Sequence, residues 1–194
     1  LARRHRARRT TRWRDTVEAL TWALPGTVWA VDFSKPHVAV EGIFTHLLCV
    51  RDLASGCTLL SLPCCKEDAA TVRAAFVALL ASEGAPLVIK ADNGGGFVAS
   101  VVADLLAAHG ILLLRSPPRT PSYNGSCEAG NGSIKTRAHH IAAAHGRETC
   151  WSCDDVEAAR LEANETARSW CASAKTPGES WRARQPISPD LRAA

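Results

Sequence analysis

The sequence predicts an α/β domain whose core is a five-stranded mixed sheet flanked by helices. Two features of the chain carry this prediction. Three β-rich segments separated by turn residues come first, and this pattern favours an antiparallel meander. Amphipathic segments then alternate with short apolar runs, which is typical of helices that connect parallel strands. The expected sheet therefore has three antiparallel strands and two parallel ones.

The three antiparallel strands are predicted at residues 27–33, 44–50 and 57–62, where β-forming side chains are dense. The D-L-A-S-G sequence that starts at Asp52 supplies turn residues between the second and third strands. Asp52 also competes as a site residue, because it is a carboxylate just after a strand. Its place in this turn favours the structural interpretation.

The second half of the sheet is predicted from alternating helices and apolar strands. The expected elements are a helix at 67–80, a strand at 86–91, a helix at 98–109 and a strand at 111–114. Gly84 and Gly110 are the expected ends of the two helices. A proline-containing loop at 117–125 then leads into a helix that carries Glu128 in its first turns.

One more amphipathic helix is predicted at residues 157–173, with Asp154 and Asp155 as its cap. Leu161 and Trp170 are among its apolar residues. The sequence after this helix is rich in proline and glycine, so we expect an extended or loosely attached tail. The predicted organisation is a basic arm or linker at 1–24, a core domain at 25–150, and a C-terminal helix with a tail at 151–194.

Charge is distributed unevenly along the chain. The net charge is +4, yet residues 1–14 alone hold seven arginines and no acid. Such an arm is suited to binding phosphates without sequence preference, and a solvated linker is the alternative. No apolar run approaches the roughly 18 residues that a membrane span needs. Because no signal peptide opens the chain, we expect a cytoplasmic protein with no membrane partner. The lack of methionine indicates a piece of a longer protein.

The eight cysteines are expected to be reduced thiols, since disulfides are rare in a reducing compartment. Cys150 and Cys153 have the spacing of half a zinc site, and His139, His140 and His145 lie nearby. A second cysteine pair is missing, so ordinary thiols and solvated histidines are the favoured interpretation.

Three acidic residues occupy positions that suit chemistry. Asp32 comes late in the first strand, Asp92 follows the fourth strand, and Glu128 opens a helix. Carboxyl ends of neighbouring strands form ligand sites, so Asp32 and Asp92 converge if their strands are adjacent. Oxygen ligands suit Mg²⁺, and two ions can clamp both oxygens of a phosphoryl displacement. Taken singly, each acid is explained as well by a turn or a helix N-terminus.

Three motifs together resemble the catalytic core of retroviral integrases and DDE transposases. They are W-A-V-D-F, K-A-D-N-G-G-G-F, and P-S-Y-N-G-S-C-E with a lysine seven residues beyond the glutamate. Bacterial integrase-like recombinases are the most similar branch, and T-P-G-E-S-W-R-A-R-Q-P-I resembles the segment that follows their core. The resemblance covers about residues 25–145 and implies a ribonuclease H-like fold.

The resemblance also implies a mechanism. Asp32 would bridge two Mg²⁺ or Mn²⁺ ions, while Asp92 and Glu128 would each hold one. Water would hydrolyse a phosphodiester, and the freed 3′-hydroxyl would then attack a target strand. The expected function is metal-dependent DNA strand transfer during integration. A non-catalytic DNA-binding remnant and a ribonuclease H-like nuclease are the alternatives.

DNA, both element ends and target, is the expected partner, and a homo-oligomer is expected. Lys135 matches the DNA-contacting lysine of the family, and it shares a helical face with Glu128 because it lies two turns further on. Asn124 occupies a polar position expected to touch DNA. Arg119 and Arg137 are added as phosphate contacts from their charge and location alone.

Two departures from the family pattern stand out. Gly130 and Gly132 each cost roughly 1 kcal/mol of helix propensity, so we expect the helix to start late or to be irregular. Residues 1–26 carry neither the ligands of a retroviral zinc domain nor a helix-turn-helix. Site-specific recognition of DNA ends is therefore not expected of this chain alone.

Overall fold

The structure is a computed structural model that describes residues 21–117, 124–167 and 174–193. A five-stranded sheet forms its centre, in the order β3-β2-β1-β4-β5. The strands are β1 (Val28–Ser34), β2 (His46–Asp52), β3 (Thr58–Cys64), β4 (Val88–Ala91) and β5 (Leu112–Arg115). The helices are α1 (Ala69–Glu83), α2 (Gly95–Val98), α3 (Ser100–Ala108), α4 (Gly125–Ala144), α5 (Cys153–Thr166), α6 (Pro177–Arg182) and α7 (Pro189–Ala193).

The pairing of the strands confirms the predicted mixed sheet. β1 pairs with β2, and β2 with β3, in antiparallel ladders. β1 also pairs with β4, and β4 with β5, in parallel ladders. β1 is therefore the strand at which the antiparallel and parallel halves meet. The arginine-rich arm lies outside the described residues.

The sheet separates two hydrophobic cores. Because side chains alternate across a strand, Trp29 and Val31 of β1 face one layer, and Ala30 and Asp32 face the other. The first core packs against α1 and α3 and includes Trp29, Val31, Leu48, Phe76, Leu106 and Trp181. The second packs against α4 and α5 and includes Leu47, Cys49, Ile134, Trp151 and Val156. Asp32 thus lies on the layer that α4 covers.

Local signals explain most of the helix ends. The Asp68 side chain caps α1 by accepting a hydrogen bond of 2.8 Å from the Thr71 amide. Gly84 ends the helix with a φ of 83°, as predicted. The helix predicted at 98–109 is present as α3, and its start is two residues later than predicted because Ala99 adopts an extended conformation that separates α3 from the short α2.

The cap predicted for the helix at 157–173, which is α5 in the structure, is wrong. The N-cap of α5 is Ser152, and Asp155 is the third helical residue of a reciprocal capping box. The helix therefore begins at Cys153, four residues earlier than predicted. Leu161 is 50% exposed rather than packed. Trp170 lies outside the described residues.

The C-terminal segment packs on the domain, so the prediction of an extended or loose tail is wrong. Pro177 stands in the first turn of α6, where proline is tolerated, and Thr176 and Glu179 form a capping box. The buried Trp181 ring lies 6.4 Å from the Trp29 ring, and its Nε1 donates to Glu83 at 3.0 Å. Burial of this aromatic side chain outweighs the local proline and glycine signals.

The state of the cysteines and the apolar character of the helices were also predicted from the sequence. The seven cysteines in the described part of the chain are free thiols. Within the same residues, no helix is long and apolar enough to cross a bilayer.

Candidate active site

Asp32 and Asp92 lie side by side at the carboxyl ends of two adjacent parallel strands. Ala30 of β1 pairs with Lys90 of β4, and each aspartate lies two residues beyond this pair. Neighbouring strands are about 4.8 Å apart, so the two side chains leave the same edge of the sheet. Asp32 is partly buried and Asp92 is exposed. The strand order thus brings together two of the three predicted acids.

A tight turn holds Asp92 in place. Its Oδ1 accepts a hydrogen bond of 2.8 Å from the Gly94 amide. A Cβ atom at Gly94 would lie only 2.9 Å from the same oxygen, which explains why glycine suits this position. The Asn93 Nδ2 donates to the Ser116 carbonyl at 2.9 Å and ties the turn to the segment after β5.

One face of α4 lies along β1. Its members are three or four residues apart, so they form a continuous stripe on the helix. Asn124 Nδ2 donates to the Val31 carbonyl at 3.4 Å, Cys127 Sγ to the Ala30 carbonyl at 4.0 Å, Asn131 Nδ2 to Asp32 Oδ2 at 3.2 Å, and Lys135 Nζ to Ser34 Oγ at 2.9 Å. We call these four residues, the N-cap Asn124 and three residues of the helix, the α4 seam. The α4 seam fixes the first three turns of the helix over the end of β1.

Glu128 borders the α4 seam, between Cys127 and Asn131. It lies in the first turn of α4, where the helix dipole favours a negative charge, and it is exposed. The expected late or irregular start of this helix is wrong, because α4 is helical from Gly125 through Gly130 and beyond. Tertiary contacts along the α4 seam compensate for the poor helix propensity of glycine.

The electrostatics of this edge show that negative charge accumulates there. Burial, followed by repulsion from Asp92, Glu128 and Glu67, raises the pKa of Asp32 from 3.8 to about 6. Asp92 and Glu128 therefore lie close enough to Asp32 to disfavour its ionised form.

The donor set suits a hard divalent cation, although the three acids are not yet gathered around one point. Carboxylate oxygens are the ligands that Mg²⁺ and Mn²⁺ prefer. Within the residues described, no three His, Cys, Asp or Glu side chains are grouped closely enough to hold a metal ion. This includes the zinc alternative, because Cys150 and Cys153 belong to no such group among the described residues. Cys150 is exposed and Cys153 is partly exposed.

The structure places the predicted DNA contacts in different surroundings. Lys135 is held at the end of β1 by Ser34, close to the acids. Asn124 is 8% exposed, and its Oδ1 has no hydrogen-bond partner. Arg137 Nε lies 3.4 Å from Glu162 of α5, so its guanidinium forms an ion pair with that helix. Arg119 lies outside the described residues.

Two residues at the site were missed by the sequence reasoning. Asn131 donates directly to Asp32, and its spacing of three residues from Glu128 was the available signal. Glu67 adds to the negative charge around Asp32, and its Oε1 lies 3.3 Å from His46 Nε2. Nothing local marks Glu67, because only the folded sheet brings it near β1.

Asp52 is a turn residue, as predicted. Its side chain is completely buried and accepts three hydrogen bonds. Oδ1 accepts from the Gly26 amide at 2.8 Å, and Oδ2 accepts from the Ser55 amide and hydroxyl at 2.7 Å and 2.6 Å. With these donors satisfied, Asp52 stabilises the β2–β3 turn and the entry to β1.

The fold and the acidic edge of the sheet define the ribonuclease H-like class, and comparison with known families narrows it. The model of the integrase core domain matches residues 23–121, just over half of the 194-residue chain. The chain therefore belongs to the integrase core domain family.

Relatives and solved structures agree with this family. The Pro-Pol polyprotein of simian foamy virus type 1 is 32% identical over 105 residues. The match covers 54% of this chain but only 9% of the polyprotein. A simian T-cell lymphotropic virus intasome in complex with PP2A regulatory subunit B56 gamma contains a chain with a TM-score of 0.74 and 18% identity, covering 89% of this chain and 62% of that one.

Two isolated catalytic cores are similar as well. The HTLV-2 integrase core in complex with magnesium has a TM-score of 0.66 and 21% identity, and the match covers 81% of this chain and 97% of that one. The BIV integrase core has a TM-score of 0.62 and 21% identity, with coverage of 81% and 94%. At these identities, the similarities establish the fold.

Proposed function

We propose that this chain is the catalytic core of a metal-dependent DNA strand transferase, which performs phosphodiester hydrolysis and transesterification during DNA integration. The observation that supports the proposal is the position of Asp32 and Asp92 at the ends of adjacent parallel strands, with Glu128 on the helix that covers Asp32. Burial, followed by repulsion from Asp92 and Glu128, raises the pKa of Asp32 to about 6. Membership of the integrase core domain family supports the same reaction class.

Asp32, Asp92 and Glu128 are the residues proposed to hold Mg²⁺ or Mn²⁺, with two ions expected. A divalent ion at this site would neutralise the carboxylates and act as a Lewis acid toward the phosphodiester. Because these acids are not grouped tightly enough to hold an ion among the described residues, the proposal includes a local approach of Glu128 toward Asp32.

The remaining residues orient the acids and bind DNA. Asn131 donates to Asp32 and so orients its carboxylate. We propose that Lys135 contacts a DNA phosphate after leaving Ser34. Asn124 is proposed to meet DNA beside the acids. Arg119 and Arg137 remain candidates from charge alone, and Arg137 would first have to leave Glu162.

The biological setting is proposed at a finer level than the family. The T-P-G-E-S-W-R-A-R-Q-P-I segment supports a transposase of a bacterial mobile element, acting in the cytoplasm on element ends and target DNA. The relatives described above are viral. The dimeric form of the HTLV-2 core supports the proposal of a homo-oligomer.

A second candidate is a non-catalytic DNA-binding remnant of a transposase. The observation that favours it is the lack of three grouped metal-binding side chains within the described parts of the chain. The remnant would bind DNA in a salt-dependent way and yield no product.

The experiment compares nicking and strand transfer by the whole chain on labelled DNA with Mg²⁺ present. Asp92→Asn is expected to lower activity at least about 100-fold. This is the size of the loss when one group that stabilises the charge of the transition state is removed. Asp104→Asn is the matched control, since Asp104 is exposed on α3 and should leave activity unchanged. Equal activity of the Asp92 variant would remove this acid from the mechanism. Cleavage of RNA–DNA hybrids without strand joining would indicate a nuclease instead.

A further inference from the structure

Arg51 is a partly buried cation that packs against α4. Burial lowers the pKa of its guanidinium. Its Nη1 donates to Thr58 Oγ1 at 3.1 Å, while its Nε is buried without a hydrogen-bond partner. Within the described residues, no carboxylate lies within ion-pair distance of Arg51. Packing and the hydrogen bond to Thr58 therefore hold this side chain in place, without an ion pair.

Two glycines enclose the Arg51 side chain. A Cβ atom at Gly130 of α4 would lie 2.6 Å from Nη1 and 3.1 Å from both Cδ and Cζ. On the other side, a Cβ atom at Gly56 in the β2–β3 turn would lie 3.1 Å from Nη2. The guanidinium therefore lies close to both this turn and the backbone of α4.

This contact lies next to the acidic site. Gly130 stands between Glu128 and Asn131 in α4, and Arg51 pairs with Ala30 of β1, two residues before Asp32. Non-bonded heavy atoms pack at about 3.5 Å, so a methyl group at position 130 requires α4 or the Arg51 guanidinium to move by about 1 Å. The hydrogen bond from Asn131 to Asp32 is already 3.2 Å long, and a movement of α4 by this amount would break it.

We propose that Gly130 and Arg51 are positioning residues, whose close contact sets how far Asn131 and Glu128 reach toward Asp32. The contact acts on the site only through the height of α4 above the sheet. The expected effect of this contact on metal binding and DNA strand transfer rests on the proposed function. Its effect on the position of Asn131 beside Asp32 does not.

Matched glycine variants test this proposal. Gly130→Ala adds a methyl group against Arg51. Gly132→Ala adds one in the same helix where nothing lies within 4 Å of the new Cβ atom. Both substitutions raise helix propensity equally, so a general effect on the helix cancels between them. Arg51→Ala, alone and combined with Gly130→Ala, removes the opposing atoms.

The first readout uses the whole chain without metal or DNA. In ¹H–¹⁵N spectra, the side-chain amide signal of Asn131 is expected to move in Gly130→Ala and in Arg51→Ala, and to stay in place in Gly132→Ala. The double variant should bring the signal back toward its original position. An unmoved signal in Gly130→Ala, or equal movement in the Gly132 control, would overturn the proposal. If Gly130→Ala does not fold, the Arg51→Ala spectrum alone decides.

The second readout is Mg²⁺-dependent strand transfer. A displacement of about 1 Å is expected to lower kcat about 100-fold in Gly130→Ala with little change in KM for DNA. Gly132→Ala should match the unmodified chain, and the double variant should recover at least part of the loss. Lack of strand transfer by the unmodified chain would count against the proposed function alone, because the Asn131 signal reports positioning independently.

Discussion

Asp32→Asn is expected to stabilise the folded chain near neutral pH. The change keeps the shape of the side chain and removes a negative charge that burial, Asp92 and Glu128 all disfavour. The hydrogen bond from Asn131 can be retained, because the new amide still presents an oxygen. A gain in stability is unusual for a substitution at a partly buried polar residue, which makes the prediction discriminating.

The size of the effect follows from the pKa of Asp32. This pKa rises from 3.8 to about 6 on folding, and each pKa unit is worth roughly 1.4 kcal/mol. The product of these two numbers is a destabilisation of about 3 kcal/mol by ionised Asp32. Because Asp32 is partly exposed, solvent screening reduces this free energy to about 1–2 kcal/mol. Since the folded state holds the proton more tightly, Asp32 favours folding below about pH 4. That contribution is lost as pH rises from about 4 to 6.

The assay is urea unfolding of both chains without metal, from pH 4 to pH 7.5. The variant should exceed the unmodified chain by about 1–2 kcal/mol at pH 7.5, and the difference should shrink toward zero near pH 4. Mg²⁺ should raise the stability of the unmodified chain and leave the variant unchanged. A variant that is less stable at pH 7.5, or a difference independent of pH, would refute the charge repulsion assigned to Asp32.

Two further predictions concern stability away from the acids. Trp181→Ala should lower the free energy of unfolding by about 3–5 kcal/mol in urea, since it empties a core position and removes a hydrogen bond to Glu83, whereas Leu191→Ala should cost under about 0.5 kcal/mol. Equal losses of unfolding free energy in the two variants would show that Trp181 is not part of the hydrophobic core. Asp52→Ala should cost about 2–3 kcal/mol by leaving the buried Gly26 amide unpaired, yet keep the Mg²⁺ response; loss of that response would make Asp52 part of the site.

The parts of the fold that depend on local patterns could be predicted from the sequence. Alternating β-formers, the turn at Asp52 and the glycine at Gly84 each act within a few residues. The approach of Asp92 to Asp32 required one further fact, namely that β1 and β4 are neighbours. Sequence spacing alone left that fact open, since strand order is set by packing between distant segments.

Two of the wrong predictions, the irregular start of α4 and the loose tail, have a shared physical origin. The low helix propensity of Gly130 is a local effect of about 1 kcal/mol, and the proline content near Trp181 is also a local signal. In both places the free energy gained from tertiary packing is larger than the local effect. Gly130 fits because Arg51 occupies the space beside it. Trp181 orders its segment because Trp29 offers an apolar surface. Neither partner is adjacent in sequence, so neither effect was visible before folding.

The most direct test of the proposed site is anomalous diffraction from crystals of the chain soaked in Mn²⁺. We expect manganese peaks coordinated by Asp32 and Asp92, with Glu128 drawn in to complete the ligand set. Asp92→Asn crystals, treated identically, should lose or weaken these peaks. Manganese bound elsewhere, or no peak beside Asp32 at saturating concentration, would contradict the assignment of this edge of the sheet as the metal site of a strand transferase.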